Sequence, residues 1–194
     1  MVRGRRRTQL VSLTFDDGPH PEHTPRLLET LKRNGVRATF FLVGRQVERY
    51  PNLVRRIAEE GHDVANHSFF HPDIGLMSAR EAVQGVLRTQ KLLESFVGKT
   101  PSLYRPPRGK VTFWKLLRLW LLGVRIVLWN VDPRDYSWNK AADMADWFRA
   151  NPLRGGDIVL FHDRLPLARE VLPELVETSR RRGLDFVPVS QLMK

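Results

Sequence analysis

The sequence predicts an α/β protein, a distorted (β/α) barrel with about seven parallel strands. Short apolar runs of β type alternate with longer segments of helical period from Leu10 to Val187. No fixed-period repeat, low-complexity stretch or linker breaks the alternation. Polar residues suited to chemistry recur just past the strand ends, where parallel β/α barrels carry their active sites.

The elements follow in order. Leu10 to Phe15 reads as the first strand. Thr24 to Asn34 then places Leu27, Leu28 and Leu31 on one helical face, with Asn34-Gly35 as its stop. Ala38 to Val43 is the second strand; Pro51 to Glu60 is a helix with proline in its first turn, ending at Gly61. After the strand Asp63 to Asn66, the helix Ser78 to Phe96 carries Ser78 and Glu81 in capping-box spacing, then Val83, Val86, Leu87, Leu92 and Leu93. The remaining strands are Ser102 to Arg105, Val124 to Trp129, Asp157 to Phe161 and Asp185 to Val187. The helices Thr112 to Leu122, Ala141 to Ala150 and Pro166 to Arg182 alternate with them. Such alternation implies right-handed crossovers in one parallel sheet, and a closed or nearly closed barrel is favoured over an open doubly wound sheet.

Composition narrows the chemistry. The chain has 194 residues, 42% of them hydrophobic, enough for one sizeable core. The sequence divides into a basic segment, 1–8, and one domain, 9–194. The absence of cysteine excludes disulfides, a thiol nucleophile and thiolate ligands, so a transition-metal site must use histidine and carboxylate. The formal charge is +11, with basic clusters at Arg3 to Arg7 and Arg180 to Arg182. These suit nucleic acid, anionic lipid, an acidic wall polymer or simply a solvated surface; no nucleic-acid motif accompanies them, and no such partner is expected. The stretch most like a membrane span, Phe113 to Trp129, is interrupted by Lys115, Arg118 and Arg125, so no span is expected. No secretion signal is visible in the sequence. The expected location is extracellular or the cell envelope if an export signal lies outside these residues, and cytoplasmic otherwise; a monomer is expected.

Five motifs carry chemistry. In Thr14-Phe15-Asp16-Asp17-Gly18-Pro19, adjacent carboxylates leave a strand into a Gly-Pro turn, and a cation would let one ligate while the other stays a free base. In Asn66-His67-Ser68-Phe69-Phe70-His71-Pro72, histidines four apart suggest a helical turn with both imidazoles on one face. With a carboxylate they form a set suited to Zn²⁺, or to Co²⁺, Mn²⁺ or Fe²⁺. Tyr104-Arg105-Pro106-Pro107-Arg108-Gly109 offers a rigid loop whose Arg105 can pair with a carboxylate and whose backbone N–H can meet an oxyanion. Asp132-Pro133-Arg134-Asp135-Tyr136 and Leu160-Phe161-His162-Asp163 follow the fifth strand and end the sixth. An aspartate near His162 would make it a general acid. His20, His23 and His62 receive no role.

Together, in this order from Thr14 to His162, these motifs resemble the polysaccharide deacetylases of carbohydrate esterase family four. The resemblance implies hydrolysis of N-acetyl groups on glycans of chitin or peptidoglycan type, with an O-acetyl esterase on xylan-like polymers and a non-catalytic binding barrel as alternatives. It implies Asp16 as catalytic base, Asp17, His67 and His71 as ligands of one divalent metal, and Arg105 holding Asp16. It further implies Asp132, with Asp135 as the other candidate, holding His162 as general acid. The Arg108 backbone N–H would share the oxyanion, and Leu160 and Tyr136 would line the acetyl pocket. Two positions depart from the family pattern: Arg108 stands where an aromatic residue is usual, and Tyr136 where tryptophan is frequent.

Overall fold

Strand β1 (Leu10–Asp16) is flanked by parallel strands on both edges. Val11, Leu13 and Phe15 are fully buried, and so are Ser12 and Thr14 on the opposite face, as a parallel strand covered on both sides requires. The computed structural model describes residues 8–71, 77–110 and 112–194. The basic N-terminal cluster and Pro72 lie outside the described residues.

β1 pairs in parallel with β2 (Thr39–Leu42) and β6 (Ile158–His162), with Thr14 opposite Thr39 and Asp16 opposite His162. β3 (Asp63–Asn66), β4 (Leu103–Tyr104) and β5 (Arg125–Ile126) extend the sheet beyond β2, giving the order β5-β4-β3-β2-β1-β6. β7 (Asp185–Phe186) pairs with the start of β1 at Leu10 and Val11. Past β5, Val131 bridges in parallel to Val159 of β6, and the Leu160 N–H donates to the Val131 carbonyl at 2.9 Å. This bridge joins the two ends of the sheet, so the strands curl into the distorted barrel expected from the sequence.

Helices cover the outside. α1 (His23–Arg33) buries Leu27, Leu28 and Leu31, and α3 (Pro51–Glu59) buries Val54 and Ile57. α4 (Ala79–Val97) has its capping box, with Ser78 Oγ accepting from the Glu81 N–H at 3.2 Å and Glu81 Oε2 from the Ser78 N–H at 2.9 Å. Gly98, at φ 68°, ends that helix in the left-handed conformation that glycine tolerates best. α5 (Phe113–Leu121), α6 (Ala141–Ala150) and α7 (Leu167–Arg181) follow. In the core, Phe15 stacks between Phe40 at 5.2 Å and Phe161 at 5.7 Å.

The structure differs from the sequence reading at three places. α2 (Gly44–Arg49) and α8 (Val189–Leu192) were not expected, because helices this short show too little period to detect. β5 is shorter than the run Val124 to Trp129. Its continuation is diverted because the Val127 and Leu128 carbonyls accept from the Arg105 guanidinium, at 3.3 and 3.4 Å, instead of from a neighbouring strand.

Candidate active site

The strand register places the polar groups at one end of the barrel. Asp16 ends β1 beside His162, which ends β6. His67 follows β3, and Arg105 follows β4 with its N–H on the Asn66 carbonyl at 3.0 Å.

Arg105 is fully buried, and its surroundings explain how a charge is tolerated there. Nη1 donates to Asp16 Oδ1 at 2.8 Å and to Thr14 Oγ1 at 2.7 Å, and the guanidinium lies 4.1 Å from the Phe41 ring centre. Removing one partner of such a buried pair costs about 3–5 kcal/mol. One oxygen of Asp16 is thereby held, while Oδ2 lies 3.7 Å from His67 Nε2.

Asp17 faces the two histidines. Its backbone is left-handed at φ 74°, which turns it away from the strand line and allows adjacent carboxylates to share one cavity. Asp17 Oδ1 lies 3.2 Å from His71 Nε2 and 3.6 Å from His67 Nε2, and one donor atom from each of these residues lies within 4.8 Å of the others. Tetrahedral bonds of about 2.0–2.1 Å put neighbouring donors roughly 3.4 Å apart, so the set fits a divalent transition metal. His67 Nδ1 donates to the Arg105 carbonyl at 2.8 Å, which leaves the Nε2 lone pair for a ligand. Burial first, and then the repulsion of His71, push the His67 pKa down against the pull of Asp16 and Asp17, favouring the neutral ligand form. Burial works to raise the Asp17 pKa, but His67, His71, His162 and Arg164 outweigh it and hold the carboxyl below its ordinary value.

The two histidines do not sit on a helical turn, contrary to the spacing argument. Ser68 and His71 have φ 66° and 55°, so the chain bends irregularly. The bend is held by the Ser68 N–H on Asn66 Oδ1 at 2.9 Å and by the Gly44 and Arg45 N–H groups on the Ser68 and Phe69 carbonyls. Gly44 is needed there, since a Cβ would lie 2.5 Å from the Phe69 ring.

His162 is oriented by Asp135, and this corrects the choice of Asp132. Asp135, almost fully buried, accepts from His162 Nδ1 on Oδ1 and from the His162 N–H on Oδ2, both at 2.7 Å. The Asp132 carboxylate instead accepts from the Arg134 N–H at 2.8 Å, closing a local turn in which Arg134 has φ 53°. Burial would lower the His162 pKa, but the hydrogen bond and charge of Asp135, with Asp16 and Asp17, raise it above the ordinary imidazole value. Activity that needs the imidazolium should fall as pH rises through this value. Asp135→Asn is expected to move that alkaline limb of the kcat/KM profile to lower pH, and Asp132→Asn to leave it in place. A matching shift in Asp132→Asn alone would reverse the assignment.

Leu160 is buried on β6, and the Tyr136 ring lies 5.7 Å from that of His162, edge to face. Arg108 occupies a 3₁₀ turn, Pro107–Gly109, with a left-handed backbone at φ 56°. At Gly109, φ 66°, a Cβ would stand 3.0 Å from the Trp129 ring, so the loop sits close on that indole.

Two residues of the site escaped the sequence reading. Arg164 donates through Nε to Asp17 Oδ2 at 3.1 Å, so the carboxylate has one oxygen on a guanidinium and the other toward the histidines. Asp163 is buried beneath the Gly18 turn, accepting from Thr24 Oγ1 at 2.6 Å, and burial pushes its pKa up to about 7. A Cβ at Gly18 would fall 1.9 Å from Asp163 Oδ2, so only glycine fits beside Asp17. Neither residue has a spacing signal, because both act through contacts across the barrel mouth. His62 is structural, its Nδ1 accepting from the Ala38 N–H at 3.0 Å and its pKa lowered by burial to about 4.

The family model described as polysaccharide deacetylase matches residues 3–127. The chain belongs to that family, which is carbohydrate esterase family four. It is 36% identical over 182 residues to the peptidoglycan-N-acetylglucosamine deacetylase PgdA of Listeria monocytogenes, covering 94% of this chain but 38% of that protein. The chain thus spans well under half the length of this relative. Among solved structures, the Bc1960 peptidoglycan N-acetylglucosamine deacetylase superposes with a TM-score of 0.94 at 32% identity, covering 98% of this chain and 91% of the other. A family-four pseudoenzyme from Bacillus anthracis superposes at 0.92 with 25% identity, covering 99% and 68%. Membership therefore fixes the fold and the class of site, and the catalytic case rests on the residues.

Proposed function

We propose that this deacetylase-family chain removes N-acetyl groups from N-acetylglucosamine-containing glycans of peptidoglycan or chitin type, releasing acetate. The observation that carries this reading is the division of labour between two adjacent carboxylates. Asp16 is tied to Arg105, Asp17 faces His67 and His71, and His162 waits on a separate strand with Asp135 behind it. A binding-only barrel has no need of this arrangement.

Asp17, His67 and His71 would hold one divalent ion, Zn²⁺ in our reading with Co²⁺ or Mn²⁺ as alternatives. When bound, it supplies Lewis acidity toward water and the acetyl carbonyl. Asp16 takes the proton of the attacking water, and Arg105 keeps that carboxylate oriented. The Arg108 backbone N–H donates to the developing oxyanion. His162 delivers a proton to the sugar nitrogen as the carbon–nitrogen bond breaks, and Asp135 steadies the ring. Leu160 and Tyr136 enclose the acetyl methyl. We further propose that residues 9–194 act as a single catalytic domain behind a basic segment 1–8, as a monomer, on glycan at the cell envelope or outside the cell.

The test is a parallel assay of acetate release from N-acetylglucosamine oligomers, peptidoglycan fragments and O-acetylated xylan. Release from the amides with little from xylan is expected. Preference for xylan would make the chain an esterase, and no release from any substrate would support a binding role.

A further inference from the structure

α5 has the reverse of the usual polarity of a surface helix. Its buried positions are Lys115 and Leu119, while Phe113, Trp114, Trp120 and Leu121 are 68%, 69%, 69% and 69% exposed. Phe113, Leu117 and Trp120 form one stripe at helical spacing, and Trp114, Arg118 and Leu121 form the next. Beside the first stripe lies a shallow, mainly apolar groove of about 450 Å³, lined by Phe113, Leu116, Leu117, Trp120, Ile126 and Met193. Soluble surfaces rarely leave so many large apolar side chains together without an apolar partner.

The surrounding charge indicates which partner. From Arg105 to Val131 the sequence has no aspartate or glutamate. Arg108, Lys110, Arg118 and Arg125 are all exposed within this stretch. Tryptophan, phenylalanine and leucine beside arginine and lysine are the composition of a helix lying in a bilayer interface, with its apolar face about 5–10 Å into the headgroup boundary. A glycan would call for carboxylate or amide side chains beside the aromatic rings, and this helix has neither. A protein partner matching this rim would have to be both acidic and apolar. Among the described residues, no helix is long and apolar enough to cross a membrane, so the contact would be peripheral.

We propose that the exposed face of α5 docks the protein on the surface of an anionic lipid bilayer. Attraction comes from the exposed Arg118 and Arg125, and insertion from Phe113, Trp120 and Leu121. Membrane charge and apolar insertion reinforce each other, since neither a single amphipathic turn nor a basic patch alone holds a protein firmly.

The experiment uses the full 194-residue chain and vesicles of phosphatidylcholine with or without phosphatidylglycerol. Co-sedimentation is expected only with the anionic vesicles, and bromine on the upper acyl chains should quench tryptophan fluorescence. Phe113→Ser with Trp120→Ser should weaken binding at least tenfold and cancel the quenching, with the thermal midpoint unchanged. Arg118→Glu with Arg125→Glu should weaken binding and flatten its salt dependence. Absence of binding, or of quenching in the unmodified chain, would overturn the proposal whatever the variants do. Undiminished binding in the Phe113/Trp120 variant would assign the attraction to the basic residues 3–7 and overturn it too. So would a concentration-dependent dimer abolished by the same substitutions, or retention on a glycan column without lipid binding.

Discussion

His67→Ala is expected to lose the metal and, with it, turnover down to background. His67 is almost fully buried, with Nδ1 fixed on the Arg105 carbonyl and Nε2 toward Asp17. The substitution leaves Asp17 and His71, and two protein ligands hold a transition ion far more weakly than three. Elemental analysis after gel filtration should fall from about one metal per chain to a small fraction, with circular dichroism unchanged. Full metal content in a folded variant would remove His67 from the ligand set.

Asp16→Asn should have the opposite signature. The amide oxygen can still accept from Arg105 Nη1, so the buried guanidinium keeps a partner and Asp17, His67 and His71 stay in place. What is lost is a group able to take a proton, and general-base catalysis is worth roughly 10²–10⁴ in rate, or about 3–5 kcal/mol of barrier. The variant is therefore expected to bind metal normally while kcat falls by that factor. Wild-type turnover in Asp16→Asn would show that the base is another residue.

The contrast between these two variants shows why much of the site was legible in the sequence. Thr14 to Asp16 is the buried end of β1 and Asp17 follows it directly, a pair of adjacent charges with few structural uses. Phe40 and Phe41 mark β2 by their apolar run, and Ser78 with Glu81 marks the start of α4 by a local hydrogen-bond exchange. Such features depend on neighbours in sequence. The misreadings depend on neighbours in space or on backbone conformation. Positive φ at Ser68 and His71 removes the helical turn that the four-residue spacing suggested, yet the bend still brings the imidazoles to one carboxylate. Arg134, also at positive φ, lies in the turn that Asp132 closes, and it is Asp135 that reaches His162. Arg164 meets Asp17 across 147 positions of chain, and no spacing rule reports that. Likewise, apolar periodicity marks α5 as a helix without saying which of its faces is left uncovered.

Arg164 also refines the electrostatics of the ligand set. Its guanidinium draws charge from the Asp17 oxygen that points away from the histidines, and its side chain remains about half exposed at the mouth. Added to the larger pull of His67, His71 and His162, this hydrogen bond helps hold the Asp17 carboxyl below its ordinary value, toward the ionised form that a metal ligand needs.

The most direct test of the whole account is acetate and free-amine release from an N-acetylglucosamine oligomer by the chelator-stripped protein, before and after one equivalent of Zn²⁺. No release is expected from the stripped protein and, on reloading, equal yields of acetate and amine. Equal activity with and without metal, or acetate without the matching amine, would contradict it.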